Sequence, residues 1–233
     1  MKRLVRTAVG ISLAVALAPT IAAESSETSV RKISVDGFRL GMSSAEAESQ
    51  VKRLTNHGPW HLDSAEHWAK SGSGDAFRGF HSIGISHCPA KKPCKGEEAG
   101  MLLLWFLPAE LGGALVAIDR RHFAGEVAQW PAGQILQSLA RVAGEPRQSF
   151  TAKNPVDGPP LLKYMLFGGK GFVPERFGGF EATKPGGTYL FAQSFSSCLG
   201  GRVSCIARYE GIRYELNDGD GVQALNRVER QER

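Results

Sequence analysis

Residues 38–54 read FRLGMSSAEAESQVKRL, and this stretch constrains the fold more than any other. Ser43 with Glu46 three positions on forms a capping box, in which each side chain satisfies an orphaned amide of the first turn. Met42 and Ala47 occupy the two positions of a small hydrophobic staple. Ala47, Val51 and Leu54 then recur at i, i+4 and i+7, which makes one narrow apolar stripe. Asn56, Gly58 and Pro59 end the helix. A helix with so narrow a stripe buries one side only, so it must lie on a sheet.

Residues 129–148, QWPAGQILQSLARVAGEPRQ, carry a second helix. Pro131 suits its first turn. Ile135, Leu136, Leu139 and Val142 make a broader stripe, and Gly144 with Pro146 closes it. Strand-like segments follow each helix: FHSIGISHC, MLLLWFLP and GALVAIDRRHF after the first, and LLKYMLFG, TYLFAQSFSSC, CIARYEGIRYELN and GVQALNRVER after the second. ALVAIDRR (114–121) and VQALNRV (222–228) match one another, and each set contains one close cysteine pair. The expected fold class is α+β: two similar units, each a helix packed on an antiparallel β-sheet, spanning 24–125 and 126–233.

The first 23 residues have the form of an export signal. Lys2, Arg3 and Arg6 precede the apolar run Val9–Leu17, and Pro19, Ala22 and Ala23 supply a break and small residues for cleavage. The run is too short for a membrane span. Its removal would take the formal net charge from +5 to +2, which offers no electrostatic case for nucleic acid. With 42% hydrophobic residues, the remainder can bury a sizeable core. The expected location is periplasmic or secreted, with no stable membrane span after cleavage.

Leu40-Gly41-Met42-Ser43 with Glu46, and the helix-ending turn Gly144-Glu145-Pro146, carry a family likeness. The chain resembles the SmpA/OmlA-type envelope-assembly lipoproteins, and its tandem form is similar to the β-lactamase inhibitor protein fold. It lacks the lipid-attachment cysteine of the lipoproteins and a clear two-helix opening in each unit. The resemblance implies a noncatalytic module that holds another protein against a curved sheet.

Four cysteines in an exported chain point to disulfides. Of the three connectivities, the local pairing Cys88–Cys94 and Cys198–Cys205 closes the shortest loops, one hairpin tip in each unit. Cys88 beside His87 is too sparse for a zinc site, and no His-Glu-x-x-His occurs among His57, His61, His67, His81, His87 and His122. KSGSGD (70–75) is no nucleophile elbow and FGGKGF (167–172) no phosphate loop. NDGDG (217–221) reads as a tight hairpin turn rather than a calcium loop.

Neither a cofactor nor a metal is therefore expected. Met101–Leu107 is apolar on both faces, so something must cover its second face. The glycine-rich segment 167–187 reads as an ordered flap or a recognition edge. The expected contact residues are Trp60, Trp68, Trp105, Phe172, Phe177 and Phe180, on a concave sheet face and its loops. The expected partner is another exported or envelope protein. The rival reading is a periplasmic hydrolase or small-ligand carrier with a cleft between the units. It would draw a general base from His61 with Asp63 or Glu66, or from His122 with Asp119.

Overall fold

The capping box forms as the sequence requires. Ser43 N donates to Glu46 Oε2 at 2.8 Å, and Glu46 N donates to Ser43 Oγ at 3.3 Å. These bonds open helix α2 (Ser44–His57), which follows a short helical stretch, α1, at 27–31. This computed structural model describes residues 27–69, 79–88, 100–122, 132–152, 162–170, 186–198 and 207–232. The signal at 1–23 and the boundary at 125/126 lie outside the described residues. So do Cys94, Cys205, Phe172, Phe177 and Phe180.

Eight strands form one antiparallel sheet. They are β1 (Trp60–His67), β2 (Phe80–His87), β3 (Gly100–Phe106), β4 (Leu115–His122), β5 (Gln148–Ala152), β6 (Leu162–Lys170), β7 (Gly186–Cys198) and β8 (Ala207–Asp218). Their spatial order is β1-β2-β3-β4-β8-β7-β6-β5. Each half of the sheet is therefore a meander of four strands preceded by a helix, α2 or α3 (Ala132–Ala143), and the halves join along β4 and β8.

Directly opposed residues of neighbouring strands share a face, so the register sorts side chains into two sets. Ile83 and Ile85 oppose Leu104 and Leu102, and Ile118 lies across from Leu104 on one side and Leu216 on the other. These residues, with Leu190 and Phe167, form a continuous buried core on one face. We call it the helical face. Ala47, Val51 and Leu54 of α2 and Leu139, Ala140 and Ala143 of α3 pack there. On α3 Ala143 is buried while Val142, assigned to the stripe from sequence, is 61% exposed. Gly144 follows at φ +89°, the left-handed conformation expected of a helix-ending glycine.

Val30, Ile33, Val35 and Phe38 join the same core. Val35 and Phe38 exchange backbone hydrogen bonds at 2.9 and 2.8 Å around Asp36 and Gly37, both at positive φ. That two-residue Asp-Gly turn is the tight kind whose twist suits antiparallel strands. A β-carbon on Gly37 would sit on the Gln50 side chain, whose Nε2 donates to Asp36 O at 2.7 Å.

Four sequence expectations need correction. GVQALNRVER is not a strand but most of helix α4 (Gly219–Glu232), with Val222 and Leu225 buried. The match between 114–121 and 222–228 therefore pairs a strand with a helix and is no sign of a repeat. NDGDG is the junction from β8 into α4, not a hairpin turn. Strands β1 and β5 were not anticipated at all. The fourth concerns the cysteines: Cys88 follows β2 and Cys198 ends β7, so the pairs belong to the β2–β3 and β7–β8 hairpins. These are the second hairpin of one meander and the third of the other, so the pairs do not correspond. Cys88 is buried and disulfide-bonded.

Candidate functional site

The second face of the sheet is built differently, and the strand β3 shows why. Leu102, Leu104 and Phe106 are fully buried against the helical face. Met101, Leu103 and Trp105 alternate with them and are only half-buried. The cover expected over MLLLWF exists at one end: α4 crosses this second face and packs Leu225 and Val228 with Trp68, Trp105, Leu107 and Val116. Trp68 Nε1 donates to Phe106 O at 3.2 Å. His81 Nε2 lies 2.9 Å from Glu229 of α4, and its Nδ1 lies 3.5 Å from Glu66 of β1.

Beyond α4 the face is crossed by two rows of side chains. Met101, Arg121, Arg213 and Gln193 are mutual register partners in one row, and Leu103, Asp119, Glu215 and Phe191 in the next. The β4–β8 seam runs through the middle of both. Like charges thus stand directly opposite each other, arginine facing arginine and carboxylate facing carboxylate, which by itself is unfavourable. The side chains resolve this by reaching across to the adjacent row.

Asp119 is 2% exposed and takes both guanidinium groups. Arg121 donates from Nε and Nη2 to Oδ2 at 3.1 and 2.8 Å. Arg213 donates from Nε to Oδ1 at 3.1 Å and from Nη2 to Oδ2 at 2.9 Å, a bidentate fork. Arg213 Nη2 also lies 2.6 Å from Glu215 Oε1. Burial opposes the charge on Arg213, but the Asp119 hydrogen bonds and the Glu215 carboxylate outweigh it and raise its pKa. Nearby, burial pushes the Tyr189 phenol well up, and Glu215 adds to the effect.

The expected contact residues divide. Trp60 is 8% exposed in the core of the helical face, with Arg120 Cζ 5.0 Å from its ring centre and His87 stacked obliquely beside it. Trp68 is 4% exposed beneath α4. Both are buried and pack within the fold. Trp105 is half-buried at the edge of α4, on the same face as the charged rows. The cluster Asp119, Arg121, Arg213 and Glu215 was not singled out from sequence. Its signal was present as charges at alternate positions of two strands otherwise rich in apolar residues.

The geometry also bears on the rival acid–base pairs. Asp119 and His122 lie on opposite faces of β4, since His122 sits across from Ile212 and its Nε2 meets Tyr214 Oη at 3.2 Å. Asp63 accepts from Ser86 Oγ at 2.9 Å, and Glu66 accepts from Ser82 Oγ at 3.1 Å. His61 Nε2 is buried with no hydrogen-bond partner. Asp119 is therefore not placed to orient His122, and Asp63 and Glu66 each accept from a serine. Among the described residues no group of three or more His, Cys, Asp or Glu could hold a metal ion, and no helix is long and apolar enough to cross a membrane. No protein-family model, curated protein or solved structure matches the chain.

Proposed function

We propose that the protein is an exported, noncatalytic protein-binding module of the bacterial envelope, either an assembly factor or an inhibitor of an exported protein. It comprises two similar units, each a helix against a four-stranded meander, and it holds its partner on the sheet face opposite α2 and α3. The observation that carries this reading is the asymmetry of the two faces. One is closed by two helices and the segment 30–38, while the other keeps half-exposed Met101, Leu103, Arg121 and Arg213 across the seam of the halves. A mixed apolar and arginine-bearing surface has the composition of protein interfaces. The local pairing Cys88–Cys94 and Cys198–Cys205 belongs to the same proposal, as does periplasmic or secreted location.

The test is affinity capture from an envelope extract of the host, with quantitative mass spectrometry and a denatured bait as control. One reproducible protein partner, lost when Leu103 is replaced by glutamate, is the expected outcome. Repeated capture without any partner above the control would overturn the reading. Partial digestion and mass spectrometry of the unreduced protein should find two local disulfides, and cross-linked halves would refute that pairing.

A further inference from the structure

Resting on that reading, we propose that Arg121 and Arg213 recognise a carboxylate on an acidic segment of the partner, while Met101 and Leu103 take its adjacent apolar side chains. The two arginines face each other across the seam and are 35% and 36% exposed, whereas the aspartate that binds both is 2% exposed. Positive charge therefore lies outward and negative charge inward. Each guanidinium uses its Nε and Nη2 on the sheet, and among the described residues no hydrogen bond engages either Nη1. Two forks held in place by a shared carboxylate have already lost much of the side-chain freedom that binding would cost.

Stability alone gives little reason to select such an arrangement. A buried ion cluster can often be replaced by apolar residues without loss, so a cluster placed at the centre of a half-exposed face invites a binding role. A carboxylate fits better than a phosphate group. Asp119 and Glu215 already balance the two arginines, so a singly charged group meets less repulsion than a doubly charged one. Met101 and Leu103 oppose Arg121 and Asp119 on β3 and supply an apolar margin next to the charge.

The experiment follows the arginine Nε–H resonances of the folded, isotope-labelled protein by NMR. The probes are a nine-residue peptide alternating aspartate with leucine, its asparagine counterpart, and inorganic phosphate. Saturable shifts at Arg121 and Arg213 with the aspartate peptide alone are expected. Arg213→Lys, which keeps the charge but loses the fork, should weaken binding roughly ten- to a hundredfold. Equal response to both peptides, a stronger response to phosphate, or no shift at millimolar peptide would each overturn the inference. If a captured partner is retained by the folded Arg121→Gln/Arg213→Gln protein, this inference fails while the binding function stands.

Discussion

Asp119 and Arg120 are neighbours on β4, both almost completely buried, yet the pleat sends them to opposite faces with different tasks. Arg120 is held within the fold. Its Nε donates to Asp36 Oδ2 at 2.9 Å, its Nη1 to Arg121 O at 2.7 Å, and its guanidinium covers Trp60. It ties β4 to the turn at Asp36 under a layer of helices. Asp119 instead holds two arginines that remain a third exposed. The same chemistry serves as an internal tie on the closed face and as a mounting for outward charge on the other. The two charges are equally deep, and their company makes the difference: Arg120 also donates to a backbone carbonyl and lies over Trp60, whereas Asp119 holds two arginine side chains.

That contrast can be broken most sharply at Arg120. Arg120→Ala removes the donors to Asp36 Oδ2 and Arg121 O and opens a cavity beside Trp60, and should cost about 3–5 kcal/mol, read from urea denaturation. A loss below about 1 kcal/mol would mean that the closed face does not depend on its buried charge. Leu225→Ala, which thins the contact of α4 with Trp68 and Trp105, should cost about 2–3 kcal/mol. Faster hydrogen exchange should then be confined to α4, and uniform acceleration would show that the helix is not a separable cover.

The simultaneous change Asp119→Leu, Arg121→Met, Arg213→Met and Glu215→Leu should leave stability within about 1 kcal/mol of the parent. A large loss would place this cluster in the same class as Arg120. The smallest effect concerns the cap of α2 on the closed face. The Ser43 amide and hydroxyl hold the Glu46 carboxyl below its ordinary value near 4.5. A depressed folded value means that the contribution is present above pH 4.5 and is lost as the pH falls through the folded value. Amide exchange in the first turn of α2 should rise over that interval, and Glu46→Gln should abolish the dependence.

Helix α2 was legible because its cap and stripe are local. So were β2, β3, β4 and the three strands β6 to β8, whose β-branched and aromatic residues feed a core. Strand β1 was not, since it is an edge strand whose residues past His61 are mostly exposed, and nothing forces alternation on WHLDSAEH. In α4 the residues Val222, Ala224, Leu225 and Val228 fit either period. The apolar surface of Trp68, Trp105 and Val116 favours the helix, which can lay Val222, Leu225 and Val228 along one side.

The sequence by itself determined an α+β chain, the cap that starts α2, and the residues able to form a core. Tertiary structure alone decided that the halves share one sheet, that α4 lies on the face opposite α2 and α3, and that Trp60 and Trp68 are buried. It also decided that Arg213 meets Asp119 across 94 residues. The division has a physical basis. Caps and stripes are set by neighbours within about one or two helical turns. Strand register, and with it the company each charge keeps, depends on which distant strand lies alongside.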